Sequence, residues 1–188
     1  MSTFHCDIKI GSRGAGRSAC GAAAYRAADK VQDRESGLTH DFERKSGVVH
    51  DEIMLCKNAP EEFRDRETLW NSAQEAERQK NGQLYREVEV ALPKEMSREQ
   101  QIEAVREYCR ENFVEKGMCA DWALHDKGDG NPHAHIMLTT RSIDKSGKWE
   151  PKRKTEYALD ENGERIPAWE YKKALTGNTS KALTGKRF

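Results

Sequence analysis

The chain predicts an α+β fold: a central antiparallel sheet of about five strands with helices packed on one face. Three observations predict it. Strictly alternating segments recur at 4–10, 84–92, 120–125 and 133–138. Helix-length segments separate the first three, two of them preceded by capping residues. The last two flank a turn built from Gly128, Gly130 and the Asn131-Pro132 pair, so they read as a hairpin. The order is strand, helix, strand, helix, strand, helix, strand, strand, which suits a sheet backed by helices.

Each element has its own signal. In the first strand Phe4, Cys6, Ile8 and Ile10 face one way, and His5, Asp7 and Lys9 the other, as in a half-buried strand. Gly11-Ser-Arg-Gly-Ala-Gly is a basic, glycine-rich loop without the lysine or spacing of a Walker loop. Ser18 caps a helix over about 19–31 whose alanines allow close approach to a sheet. Residues 33–47 lack periodicity and read as a loop or short exposed strand. A strand is expected at 48–56 and a charged helix at about 61–80. In 84–92, Arg86, Val88, Val90 and Leu92 share one face, and Tyr85, Glu87 and Glu89 the other. Ser97 and Gln100 form a capping box for a helix to about Lys116, with Ile102, Val105, Cys109 and Phe113 buried. Residues 158–167 suggest a small turn around Asn162-Gly163.

Composition bounds the class. With 36% apolar and 34% charged residues and no long apolar run, a membrane span is excluded. The N-terminus lacks the apolar core of a secretory signal. Five cysteines without a Cys-x-x-Cys pair indicate reduced thiols and a cytoplasmic setting, and they argue against a zinc ribbon. Net charge is zero, but residues 141–188 hold 12 Lys/Arg against 7 Asp/Glu, whereas residues 60–121 hold 10 against 15. A neutral domain with one basic region can still hold a polyanion. A domain over 1–170 is expected, followed by a basic tail or linker over 171–188.

The chemistry concentrates in His125 and His133-Ala-His135. Strand alternation puts His133 and His135 on one face, and a hairpin brings His125 alongside them. Three neutral imidazoles with open positions left over suit a divalent metal. Glu87 and Glu89 lie on a polar strand face, and Tyr25 is the only large side chain between Ser18 and Arg26.

The chain resembles the relaxases of the MobA/MobL family, within the HUH endonuclease superfamily. The resemblance rests on Gly11-Ser-Arg, Ser18-Ala, Ala24-Tyr25-Arg26, Arg86-Glu-Val-Glu-Val-Ala-Leu-Pro93, His125, Asn131-Pro-His-Ala-His-Ile-Met-Leu138 and Trp149-Glu-Pro-Lys-Arg-Lys154, in that order. It runs from Met1 to about Lys154. The middle residue of the His-x-His motif, Ala134, is smaller than usual.

This resemblance implies nicking of plasmid DNA by tyrosine transesterification, with a 5′-phosphotyrosyl intermediate, and later rejoining. Tyr25 would be the nucleophile. Glu87, or alternatively Glu89, would accept a proton or orient a histidine. His125, His133 and His135 would hold a divalent ion, manganese or magnesium, with nickel, cobalt or zinc as alternatives. The partner would be single-stranded DNA with an adjacent hairpin at a transfer origin, together with accessory relaxosome proteins and a coupling protein. Arg13, Arg17, Arg26, Lys152, Arg153 and Lys154 are candidate phosphate contacts, and Trp149 a candidate base-stacking residue. A rolling-circle initiator would usually place its tyrosine after the histidines. A metal-dependent hydrolase would need no tyrosine, and a non-catalytic DNA-binding module would need no histidines.

Overall fold

The computed structural model describes residues 5–152, 159–162 and 164–166. The chain divides into two compact units, Met1–Lys152 and Arg153–Phe188. The expected boundary at 170/171 lies outside the described residues. In the second unit Leu159 bridges Arg165, and the Asp160 N–H donates to the Glu164 carbonyl at 2.8 Å, closing the turn around Asn162.

The first unit is built on β1 (Cys6–Ser12), α1 (Ala19–Ala27), β2 (Lys30–Gln32), β3 (Thr39–Asp41), β4 (Val48–Met54), α2 (Arg66–Glu75), β5 (Gln83–Ala91), α3 (Arg98–Cys109), β6 (Ala120–His125) and β7 (His133–Leu138). Five strands form one antiparallel sheet in the order β1-β5-β7-β6-β4, and β2 and β3 form a separate small hairpin. The α+β class and the five-stranded sheet are as the sequence predicts. The helices, expected on one face, divide between both.

Strand alternation sets this division. Ala134, Ile136 and Leu138 of β7 join Trp122, Leu124 and Val88 under Val105 and Cys109 of α3. Met137 points the other way, into a core made by Tyr85, Ala19, Cys20, Ala23 and Ala24 of α1, and Leu69 and Trp70 of α2. The alanine face of α1 is buried as its small side chains permit. On this second face α1 and α2 cover the Tyr85–Met137 end of the sheet, and the histidines lie at the other end.

The capping signals hold. The Ser18 hydroxyl accepts from the Gly21 N–H, and Ser97 with Gln100 forms the full capping box. The ends of two helices differ from expectation. α1 stops at Ala28, which adopts the left-handed conformation at φ 56°, and the chain turns into β2 instead of continuing to Val31. The segment expected as one helix over 61–80 is a short 3-10 turn, Glu61–Arg64, and then α2, because Asp65 is extended and caps α2 by accepting from the Thr68 N–H. The α3 segment continues as a π-helical turn over Arg110–Val114.

The first strand is a further correction. Its apolar face is not buried: Ile8 is 68% exposed and Ile10 53%. β1 is an edge strand, and none of its residues joins the core cluster that α3 covers. What β1 does pack is Gly11, over which the Tyr85 ring lies so closely that a Cβ would sit 2.1 Å from it.

An ion cluster centred on the buried Arg66–Asp121 pair ties α2 to the sheet. Arg66 donates to Asp121 from Nε and Nη2, to Asp29 from Nη1 and to Asp51 from Nη2, and the Trp70 indole N–H donates to Asp121 at 2.7 Å. The five cysteines are free thiols, with Cys6 exposed and the others buried. Among the described residues no helix is long and apolar enough to cross a membrane.

Candidate metal centre and tyrosine site

The site grows from the register of the β6–β7 hairpin. His125, the last residue of β6, lies opposite His133, the first of β7, and His135 lies opposite Ala123. Directly paired residues share a face of the sheet, so all three rings emerge on one side. Their centroids are 5.4 Å (His125–His133), 4.7 Å (His125–His135) and 5.1 Å (His133–His135) apart. One ring nitrogen from each lies within 4.8 Å of the other two.

Each ring is oriented by one acceptor. His125 Nε2 is 2.6 Å from the Arg26 carbonyl oxygen, His133 Nδ1 2.9 Å from the Asn131 carbonyl oxygen, and His135 Nδ1 2.9 Å from Glu87 Oε1. A carbonyl or a carboxylate only accepts, so each of these nitrogens carries the proton. The remaining nitrogens, Nδ1 of His125 and Nε2 of His133 and His135, are left with lone pairs. This pattern prepares imidazoles for a cation: one nitrogen tethered, the other free to coordinate. Burial, with Lys45, His135 and His133 adding to it, pulls the His125 imidazole down to about 4 despite its bond to the Arg26 carbonyl. At neutral pH it is uncharged, as a metal ligand must be. The donor set therefore fits a divalent ion.

Glu87 sits behind His135. Only 2% of it is exposed, and Arg26 grips its carboxylate from Nε and Nη2. Burial alone would push its carboxyl up, but hydrogen bonds from His135 and Arg26 outweigh it and hold the group at about 2. With both oxygens engaged, Glu87 has the geometry of an orienting group. Glu89, the alternative, instead takes Lys9 at 3.1 Å and stands 3.9 Å from His135 Nδ1.

Tyr25 lies in the last turn of α1 and is 51% exposed. The next residue, Arg26, contributes its carbonyl to His125 and its guanidinium to Glu87, so α1 is fastened to the histidines directly beside Tyr25. Around the tyrosine stand Phe42 and Lys45, from a segment whose lack of periodicity gave the sequence reading no signal. Burial, with Arg26 and Lys127 nearby, brings the Lys45 ammonium down to about 8.

The expected DNA contacts are placed less uniformly. Arg13 donates to Glu35 and to the carbonyls of Gln74, Glu77 and Gln79. Arg26 is held by Glu87 and the Ala22 carbonyl. Trp149 stacks on Phe63 at 5.3 Å and donates to Ser72, and Lys152 reaches Glu77 and the Gln83 carbonyl. Each of these four side chains thus has a partner within the fold. Arg17 is exposed. Arg153 and Lys154 lie outside the described residues.

The site is thus an antiparallel sheet bearing a tethered histidine trio, with a tyrosine on the adjoining helix, in an α+β domain. The profile of the MobA/MobL family matches residues 17–186, and the chain belongs to that family. It is 38% identical over 170 residues to the "Probable mobilization protein MobA" of Bifidobacterium longum, covering 89% of this chain and 30% of that protein. It is 34% identical over 172 residues to the mobilization protein MobL of Acidithiobacillus ferridurans, covering 78% and 45%. Against the conjugal transfer protein TraA of Agrobacterium fabrum it is 37% identical over 157 residues, covering 78% and 14%. The chain thus spans less than half the length of each of these relatives. A solved structure described as the molecular basis of vancomycin resistance transfer in Staphylococcus aureus superposes with a TM-score of 0.77 at 32% identity, covering 93% of this chain and 86% of that one.

Proposed function

We propose that this chain is the nicking domain of a relaxase that acts on single-stranded DNA at a plasmid transfer origin. The observation that carries the reading is the tethered trio of His125, His133 and His135 beside Tyr25, in a chain whose relatives are named for mobilization and conjugal transfer. The Tyr25 hydroxyl oxygen attacks the scissile phosphorus. A tyrosyl–phosphorus bond forms, the bond to the 3′ oxygen breaks, and the phenol proton ends on the 3′ hydroxyl. The 5′ phosphate stays on Tyr25, and the reverse reaction rejoins the strand without ATP, because one phosphodiester replaces another.

His125, His133 and His135 would hold a divalent ion, manganese or magnesium, with nickel, cobalt and zinc also compatible with imidazole ligands. Such an ion supplies positive charge to the non-bridging oxygens of the scissile phosphate. Glu87 keeps His135 in one tautomer, and Arg26 keeps Glu87 in place. Arg13, Arg17, Arg26, Lys152, Arg153 and Lys154 are candidates for phosphate contacts and Trp149 for base stacking, with a hairpin beside the nick as part of the bound DNA. Accessory relaxosome proteins and a coupling protein would act with the full-length protein in the bacterial cytoplasm.

A denaturing gel tests this. Purified protein with manganese meets labelled single strands tiling the DNA beside its own gene, for wild type and Tyr25→Phe. The expected result is a slow, protein-linked band in wild type only. Equal cleavage by both proteins without a linked band would replace the proposal with a metal-dependent hydrolase. Binding without cleavage by either would leave a DNA-binding module.

A further inference from the structure

The segment between β3 and β4 closes two side chains around Tyr25. Phe42 meets the tyrosine ring edge-on, with centroids 5.2 Å apart and planes at 89°. Lys45 places its Nζ 3.9 Å from the centre of the same ring and donates to the Tyr25 carbonyl at 2.7 Å. The segment is itself fixed at both ends. The Phe42 N–H donates to the Asp29 carbonyl at 3.0 Å, the Asp126 N–H donates to the Gly47 carbonyl at 2.8 Å, and Val48 pairs with His125. Lys45 therefore reaches Tyr25 from a stretch of backbone anchored at one end to Asp29 and at the other to the histidine hairpin.

We propose that Lys45 is the positioning residue of Tyr25, with Phe42 as the wall against which it holds the ring. This rests on Tyr25 being the nucleophile. The ammonium has two actions. It answers a last-turn carbonyl of α1, where a cation is favoured by the helix dipole. It also sets a full positive charge at the ring, into which the negative charge of an attacking phenolate spreads. The first action fixes where the ring stands. The second makes the attack easier, and a lysine serving only as packing would not supply it.

Two readouts test the pair. Lys45→Met keeps the stem without the charge, and Lys45→Arg keeps the charge; melting followed by circular dichroism confirms that both fold. Without DNA, the initial rate of Tyr25 acetylation by N-acetylimidazole is followed by peptide mass mapping, with half-exposed Tyr108 as internal control. Lys45→Met should slow Tyr25 about fivefold and leave Tyr108 unchanged, and Lys45→Arg should restore the rate. With saturating oligonucleotide, Lys45→Met should slow single-turnover formation of the linked product about tenfold while DNA affinity changes less than about twofold. Wild-type rates for Lys45→Met in both assays would overturn the proposal. So would an affinity loss that accounts for the whole rate loss, which would make Lys45 a phosphate contact. Tyr25→Phe that still forms linked product removes the nucleophile reading itself, whereas inactive Tyr25→Phe beside fully active Lys45→Met removes only this one.

Discussion

Glu87 Oε1 accepts the Nδ1–H of His135 at 2.9 Å while Arg26 holds the same carboxylate. The His135 ring is thus fixed by a chain of three residues from β7, β5 and α1. Glu87→Gln can still offer an oxygen to His135 but loses the charge that Arg26 answers. Manganese affinity should fall about 10-fold to 100-fold, measured by isothermal titration. Stability should fall by about 3–5 kcal/mol in urea melts, because Arg26 is left with a largely buried, unanswered charge. Unchanged manganese affinity would show that Glu87 does not set the ring.

The histidine trio predicts a metal-dependent melting temperature. An ion that binds only the folded chain adds about 2.7 kcal/mol at 100 times its Kd. Wild type should therefore melt several degrees higher with saturating manganese than with a chelator. His133→Ala should lose most of that shift. A wild-type melting temperature indifferent to metal would leave the trio without its proposed ligand.

How much of this was legible in the sequence follows from which forces are local. Alternation and turn residues are local, so the His125–His133 register and the shared face of His135 could be read directly. So could the caps at Ser18 and Ser97. Coverage is not local. Nothing in the run from Cys6 to Ile10 says that β1 is an edge strand outside the core that α3 covers, and its apolar face was therefore expected to be buried. The basic residues show the same limit. Arg13, Arg26 and Lys152 look like solvated cations in the text, and each finds an acceptor between 61 and 69 residues away. Lys45 and Phe42 meet Tyr25 only because the β2–β3 hairpin folds back on α1, which no short-range pattern announces.

Arg66 and Asp121 test the core beneath the site. Asp121 accepts from Arg66 and from the Trp70 indole, and it lies on β6, the strand that ends in His125. Asp121→Ala takes one of three carboxylates from the buried Arg66 guanidinium, which keeps Asp29 and Asp51, and removes the acceptor of the Trp70 indole N–H. It should cost about 1–3 kcal/mol of stability. Asp121→Asn, which keeps an acceptor oxygen, should cost less. Equal losses in chemical-denaturation curves would show that shape alone, and not charge, matters there.

Glu77 predicts the acid limb of stability. It is buried and takes Arg141 at 2.7 Å and Lys152 at 3.0 Å. Burial opposes its ionisation, but the bonds and charges of Arg141 and Lys152 prevail, so its carboxyl lies below the ordinary range when folded. A group lowered in the folded state binds fewer protons there than in the unfolded chain. Its contribution is complete above the unfolded value of about 4.3 and is lost as pH falls through the lower folded value. Glu77→Gln removes that titration and leaves Arg141 and Lys152 with carbonyl partners alone. It should cost about 1–3 kcal/mol at neutral pH. It should also narrow its gap from wild type as urea midpoints are followed down from neutral pH to below about pH 4. A gap that stays constant across that range would assign the loss to packing and leave the ion pairs without a role in acid stability.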